Sequence, residues 1–535
     1  MNIVWRFILN ILAFMMVAGD IPFDKIDKSV KIHKYSLYRV HKWKENNFQN
    51  APSELSTRID RMRGFPDIGY AIHITVGTPG QQFNALVDTG SSNFAIAASP
   101  NAGVPSYYHS RRSSTFQNRS QQVTVQYGKG TWTGDLMSDI VHLDVGFNRA
   151  IRQDFSGIIY SYQFFPSSDV WQSIIGMGYS SIEMPIGTPT KTFFDQLVDK
   201  TGIANIFSLT LYGPVLSKGL SWTSKDSNYG GEMTFGGIDR TLFLGHVYYT
   251  PVIKKWYYEV KLLNISVDGK PITMCCHGYE KYVTFVDSGT TEIVVPPAVF
   301  RTIVHSLQKF IQAPKLFWEG REVICPAGLG IAWSSLPIIE FTLPLAGVDG
   351  VLAYESSRFN LAISPQQYIR LSETVRNLGF PCYTFSISPS SNDAPVIILG
   401  DALMEGYTVV FDRINNQVGF AVSRFAAKNL TVSPGINRLE RVKNGSLNIQ
   451  NISSSSEDSV AIVSVVLASI SLFMTCISIG VMTCIYFNHH RNKSSNDYPY
   501  RQVSSPHHPP AYSNAEEQYG SRDNSLADNG PTESD

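Results

Sequence analysis

A chain of 535 residues exceeds what one hydrophobic core holds, so two packed lobes with extra segments are expected. Apolar residues make up 43% and charged residues 16%, which suits a globular protein that also carries membrane segments. With 44 basic and 44 acidic residues the formal net charge is zero, which excludes a general attraction to nucleic acid or to acidic partners.

Residues 1–19 carry Arg6, a mostly apolar run from Phe7 to Val17, then the small Ala18 and Gly19. The pattern reads as a signal peptide cut near Ala18 to Asp20, its apolar run being short for a span. Residues 20–61 are basic, with Lys25, Lys28, Lys31, Lys34, Arg39, Lys42 and Lys44. Such a run often reads as a solvated charged face. At its end Arg58-Ile59-Asp60-Arg61 fits an Arg-x-x-Arg site for furin-like convertases, with cleavage after Arg61 and a mature start near Met62.

From Gly64 to about Phe425 the chain reads as short strands punctuated by Gly, Pro, Asn and Ser. Examples are Gly69–Val76, Ile206–Leu211, Glu232–Gly236, Tyr257–Val267 and Thr408–Phe411. Helical spacing is best at Thr192–Lys200 and Pro297–Gln312 and weaker at Ser364–Leu378. A polar Gly/Ser-rich stretch at Leu220–Gly230 divides two lobes, 62–225 and 226–425.

Residues 426–459 turn polar without a strand pattern and read as a flexible stalk. Residues 460–487 carry no charge and, as a helix, measure about 42 Å against a hydrocarbon core of about 30 Å. This is a spanning segment. Glu457 and Asp458 precede it, while His489, His490, Arg491 and Lys493 follow, which places the C-terminus in the cytosol. The tail, 488–535, is polar and reads as disordered. Within it Tyr500-Arg501-Gln502-Val503 fits an endocytic adaptor signal, and Pro509-Pro510-Ala511-Tyr512 fits a ligand for WW domains. Glycosylation sequons stand at Asn118, Asn264, Asn429, Asn444 and Asn451, the stalk sites being the most exposed on this reading.

The chemistry centres on two stretches. Leu86–Asn93 reads Leu-Val-Asp-Thr-Gly-Ser-Ser-Asn, and Val286–Glu292 reads Val-Asp-Ser-Gly-Thr-Thr-Glu. Each Asp ends an apolar run, and the Gly two residues on permits a tight turn. One such turn alone is an ordinary Asx-type turn. Two, with matching lead-ins, bring Asp88 and Asp287 face to face. Carboxylates that close share one proton, leaving one as general base toward water and the other as general acid.

With these motifs the chain resembles the pepsin family of aspartic proteases. Ile174-Ile175-Gly176 and Ile398-Leu399-Gly400 stand where that family's supporting segments follow each catalytic turn. Val123–Trp132 resembles its flap, with Tyr127 as the flap tyrosine. Asp88–Ala95, Trp256–Val260 and Val409–Val422 look like the membrane-anchored beta-secretase (memapsin) branch. The resemblance covers about residues 64–425 and implies an all-β, bilobal pepsin-like fold, here with a C-terminal transmembrane helix.

By the same resemblance, residues 20–61 are a propeptide with a basic side chain laid across the cleft. Ser91 and Thr290 hydrogen-bond the outer carboxylate oxygens, and Thr89 and Ser288 brace the two turns. Gly90 and Gly289 lend backbone N–H groups, and Trp132 bonds the Tyr127 hydroxyl. Leu86, Tyr127, Phe164 and Trp171 match a pocket for a large apolar residue before the cut. Val294 replaces the arginine that in the family favours an acidic residue one position earlier, with Glu292 nearby. The mechanism calls for no metal or cofactor. Its substrates are extended peptide segments of membrane or lumenal proteins, and the site works best in acid.

Cys325 and Cys382 match a family disulfide. Cys276 matches another half-cystine whose usual partner is missing, so Cys275 and Cys276 bridge each other, pair between chains or stay free. Tyr212 and Phe425 stand where the family has its third bridge. Three functions compete: an anchored protease that sheds ectodomains, an inactive pepsin-like receptor or binding module, and a broad-specificity degradative protease. Both Asp residues with intact Gly and Ser/Thr partners favour the first.

Overall fold

Each half of the chain winds its Asp-bearing strand into the same three-strand arrangement in the computed structural model. The structure describes residues 33–41, 68–127, 130–143, 150–165, 171–186, 190–214, 229–274, 278–325, 331–353, 356–372, 381–391, 396–441 and 447–450. In the first half, strand Gln81–Asp88 runs parallel to Ser173–Gly176, with Asp88 opposite Gly176. Strand Phe94–Ala97 pairs antiparallel with the other edge of Ser173–Gly176. In the second half Val283–Val286 runs parallel to Val396–Leu399 and Ile293–Val295 pairs antiparallel with it. Each central strand sits between two neighbours; Ser173–Gly176 is buried along its whole length, while Val396–Leu399 alternates between half-buried and buried positions.

The halves join through one antiparallel sheet. Ile206–Leu211 pairs with Tyr407–Asp412 on one side and Tyr229–Phe235 on the other. Phe207 and Phe411 face each other in that register, their rings stacked with centroids 4.7 Å apart. Tyr407–Asp412 then pairs with Gln417–Ser423, which pairs with Phe243–Lys255. At the opposite side His33–His41, from the basic segment, lies between Tyr229–Phe235 and Ile68–Val76. The rest of that segment, Arg61 included, lies outside the described residues.

A second sheet belongs to the C-terminal half. Its order is Lys270–Pro271, Asn264–Val267, Ile339–Pro344, Arg358–Ile363, Gly435–Arg441 and Leu447–Gln450. The last two strands correct the expectation of a patternless stalk over 426–459. Arg424–Asn429 is helical, and Gly435–Arg441 pairs along Arg358–Ile363. The composition hid this strand because ladder hydrogen bonds hold it on both sides, to Arg358–Ile363 and to Leu447–Gln450; Ile436 is buried.

Two helices follow the sequence. Phe193–Thr201 starts from Thr192, whose hydroxyl accepts the Asp195 N–H, and Pro297–Leu307 starts from Pro296. The expected helix Ser364–Leu378 is instead a single turn, Pro365–Tyr368, capped reciprocally by Ser364 and Gln367. It gives way to strand Ile369–Leu371, paired with Tyr383–Phe385. The physical reason is Arg370, which is buried against Glu405 and takes part in no helical face. Residues 373–380 lie outside the described residues, as do the spanning segment 460–487, the tail and Asn444 and Asn451. Among the described residues no helix is long and apolar enough to cross a membrane.

Cys325 and Cys382 form a disulfide across 57 residues, beside a paired bridge between Ile324 and Tyr383. Cys275 and Cys276 lie outside the described residues. Tyr212 and Phe425 stack with ring centroids 4.2 Å apart. Of the sequons, Asn118 is exposed, with Ser120 two residues on also exposed. Asn264 is half-buried in a strand, and the half-buried Asn429 donates its amide N–H to the Phe425 carbonyl.

Candidate active site

The two catalytic-type turns cross one another. A Cβ on Gly90 would overlap the Asp287 carboxylate, and a Cβ on Gly289 would overlap that of Asp88. Each Asp therefore lies against the glycine of the other turn, where only a glycine leaves room. The supports repeat in both halves. Gly90 N–H donates to Asp88 Oδ1 and Gly289 N–H to Asp287 Oδ1, both at 2.8 Å. Ser91 Oγ donates to Asp88 Oδ2 at 2.5 Å and Thr290 Oγ1 to Asp287 Oδ2 at 2.7 Å.

Behind the carboxyl groups the turns are fastened crosswise. Thr89 N–H donates to Ser288 Oγ at 3.2 Å, and Ser288 N–H donates to Thr89 Oγ1 at 2.9 Å. The two hydroxyls then donate across the boundary, Thr89 to the Val286 carbonyl and Ser288 to the Val87 carbonyl. Every donor of this four-residue knot is satisfied, and both side chains are buried.

Electrostatics separate the pair from ordinary carboxylates. Burial, then the negative charge of Asp287, holds the Asp88 carboxyl well above the usual carboxylate range, outweighing its bonds from Ser91 and Gly90. The pair holds a proton where isolated aspartates would have lost theirs.

Over the dyad stands the hairpin of Gln117–Gln126 and Thr131–Leu143, closed at Gln126 and Thr131. Tyr127 follows, its N–H donating to the Gly130 carbonyl at 2.9 Å. Its ring packs on Phe164 at 5.1 Å, and Phe164 packs on Trp171 at 5.4 Å. Leu86 joins the same apolar cluster, so the four residues expected to line one pocket are neighbours. Burial and the Asp88 charge push the Tyr127 hydroxyl above its ordinary range. Trp132 and Ser91 are the hydrogen-bonding neighbours of the buried Tyr127 hydroxyl and both work against the upward push on it, although neither contact has full hydrogen-bond geometry. Val294 lies apart from this cluster, half-buried on strand Ile293–Val295 of the other lobe.

Sequence reasoning missed two neighbours of the dyad. Tyr257 is half-buried and stacks on Phe285 at 4.8 Å; burial and the charges of Asp287 and Asp88 raise its hydroxyl. Its signal, Trp-Tyr-Tyr-Glu, served only as a mark of resemblance. Asp401 is fully buried, with neither carboxyl oxygen hydrogen-bonded, and its N–H donates to the Thr290 carbonyl at 2.8 Å. Beside it Arg370 pairs with Glu405, which also accepts the Tyr70 hydroxyl at 2.7 Å. Nothing in a local pattern marks an Asp after Leu-Gly as buried.

The geometry is that of two carboxyl groups sharing a proton beneath an aromatic hairpin, an arrangement suited to activating water against a peptide carbonyl. Comparison with known proteins agrees. The family model described as eukaryotic aspartyl protease matches residues 69–423. The chain is 34% identical over 425 residues to a protein named beta-secretase from Strongylocentrotus purpuratus, across 74% of this chain and 75% of that protein. It is 28% identical over 391 residues to cathepsin E of Rattus norvegicus, across 71% of this chain and 87% of that one. Pepsin A of Canis lupus familiaris is 26% identical over 389 residues, across 70% and 86%. The chain belongs to the eukaryotic aspartyl protease family and is an aspartic-type endopeptidase related to beta-secretase and the cathepsins.

Proposed function

We propose that this endopeptidase is anchored in a membrane by residues 460–487 and sheds the ectodomains of neighbouring membrane proteins in acidic compartments of the secretory and endosomal pathway. The observation that carries the catalytic part is the crossed pair of turns, which sets Asp88 against Gly289 and Asp287 against Gly90. The charge-free segment, flanked by Asp458 on one side and Arg491 on the other, supports the anchor and its type I orientation.

In this reading a water between Asp88 and Asp287 loses a proton to the ionised carboxylate as its oxygen attacks the scissile carbonyl. The other carboxyl donates its proton to that carbonyl oxygen, giving a neutral gem-diol. Proton return to the amide nitrogen breaks the C–N bond and releases carboxyl and amine products. Ser91, Thr290 and the Gly90 and Gly289 N–H groups fix the carboxyl oxygens throughout. Tyr127 covers the substrate, and Leu86, Phe164 and Trp171 receive a large apolar side chain before the cut. Residues 20–61 act as a propeptide released after Arg61.

The test expresses the full chain in cells beside type I reporter proteins carrying a lumenal cleavage cassette. Release of reporter ectodomain that stops with Asp287→Asn, and with neutralisation of endosomes, supports the reading. Release of reporters only after the chain is freed from membranes contradicts the anchored role.

A further inference from the structure

Beyond Thr290 the second-lobe chain alternates in burial. Thr291, Ile293 and Val295 are buried, while Thr290, Glu292 and Val294 are half-buried. Ile293 and Val295 point into the core. The other row starts at Thr290, whose hydroxyl reaches Asp287, so this row faces the same side as the dyad. Glu292 and Val294 therefore continue the working face of the site outward along the second lobe.

Glu292 is a carboxylate in a half-buried setting without compensation. Among the described residues no hydrogen bond or ion pair engages it. Lys315 and Arg321, before and after Gly320 in the chain, both pair with Glu319, at 3.5 and 3.3 Å. Gly320 flanks the carboxylate, where a Cβ would stand 3.6 Å from Glu292 Oε1, so backbone rather than a basic side chain fills that side. Val294, two residues on, offers an apolar surface beside the charge.

We infer that Glu292 and Val294 form a cation-selective subsite, in which a substrate lysine or arginine lays its alkyl stem on Val294 and its charged head on Glu292. This deepens the proposed endopeptidase function and rests on it. Long basic side chains combine an apolar stem with a charged tip, which matches the order of these two residues. Glu292 stands two residues beyond Thr290, at a bend leading into strand Ile293–Val295, and the side chain it reads is assigned to the position two residues from the scissile bond.

The experiment uses the full-length protein in detergent at acidic pH and one peptide sequence cut at a fixed Leu. The position two residues away carries lysine, norleucine or glutamate in turn, before the cut in one set and after it in another. In one of the two sets the native enzyme is expected to prefer lysine over glutamate by about fivefold in kcat/KM, as for one partly exposed ion pair. Added salt lowers that ratio. Glu292→Gln removes it while norleucine peptides are still cut, and Glu292→Lys reverses it. Equal cutting of lysine and glutamate peptides in both sets by the native enzyme, or a preference unchanged in Glu292→Gln, overturns the inference while leaving the protease reading intact. Failure to cut every peptide, norleucine included, overturns the protease reading and the subsite with it.

Discussion

Thr89 and Ser288 exchange backbone-to-hydroxyl hydrogen bonds across the boundary between the two halves of the chain. Each residue braces the turn that does not contain it, so neither Asp is positioned by its own lobe alone. Ser288→Ala leaves the Thr89 N–H buried without an acceptor and the Val87 carbonyl without its donor. The expected loss is about 1–3 kcal/mol of stability. A double-mutant cycle with Thr89→Ala, read by denaturant unfolding, should show the two losses to be non-additive.

Tyr212 and Phe425 meet as stacked rings with centroids 4.2 Å apart. The contact ties the end of strand Ile206–Leu211 to the helix Arg424–Asn429. Phe425→Ala is expected to destabilise by about 1–3 kcal/mol, combining lost area with lost stacking. Thermal unfolding under non-reducing conditions measures it. No change would mean that the stack is incidental.

Two acids, Asp401 buried and Glu183 half-buried, should make the fold less stable at neutral pH. Burial pushes Glu183 up to about 7, and burial with the Glu405 charge pushes Asp401 well above its ordinary range. The folded form therefore holds protons that the unfolded chain, with acids near about 4, has released. The stability these groups contribute is complete below that value. For Glu183 it is lost as pH rises toward about 7, and for Asp401 it also falls as pH rises. Glu183→Gln and Asp401→Asn should each flatten the decline, seen as smaller differences in Tm between about pH 5 and about pH 7.5.

The fold was legible wherever local pattern and burial coincide. The strand Ile206–Leu211 and the capped helix after Thr192 follow from alternation and a capping residue. The crossed turns were legible as two Asp-x-Gly motifs, because the glycine requirement is local even though the partner is remote. What escaped depends on distant partners. Arg370 looks like a helix-surface residue until Glu405 buries it, and Asp401 looks like a loop acid until the dyad's supports enclose it. The strand Gly435–Arg441 escaped because its hydrogen bonds, not its side chains, place it.

The Tyr127 hydroxyl gives a separate prediction for the hairpin. Because the contacts of the Tyr127 hydroxyl to Trp132 and Ser91 lack full hydrogen-bond geometry, Tyr127→Phe should cost no more than about 1 kcal/mol of stability by thermal unfolding. A substrate that closes the hairpin offers the hydroxyl its partner, so kcat/KM should still fall, by about tenfold for one hydrogen bond. Paired unfolding and peptide-cleavage assays separate the two effects.

The central claim is that Asp88 and Asp287 act as one proton-sharing pair. Its most direct test is the pH profile of peptide cleavage by the full-length protein beside Asp287→Asn and Asp88→Asn. The account predicts a bell-shaped profile on the acidic side for the native chain and loss of at least about a thousandfold in either variant, since neither carboxyl works alone. Substantial activity in either variant, or a native rate that rises steadily from acid to neutral pH, would contradict it.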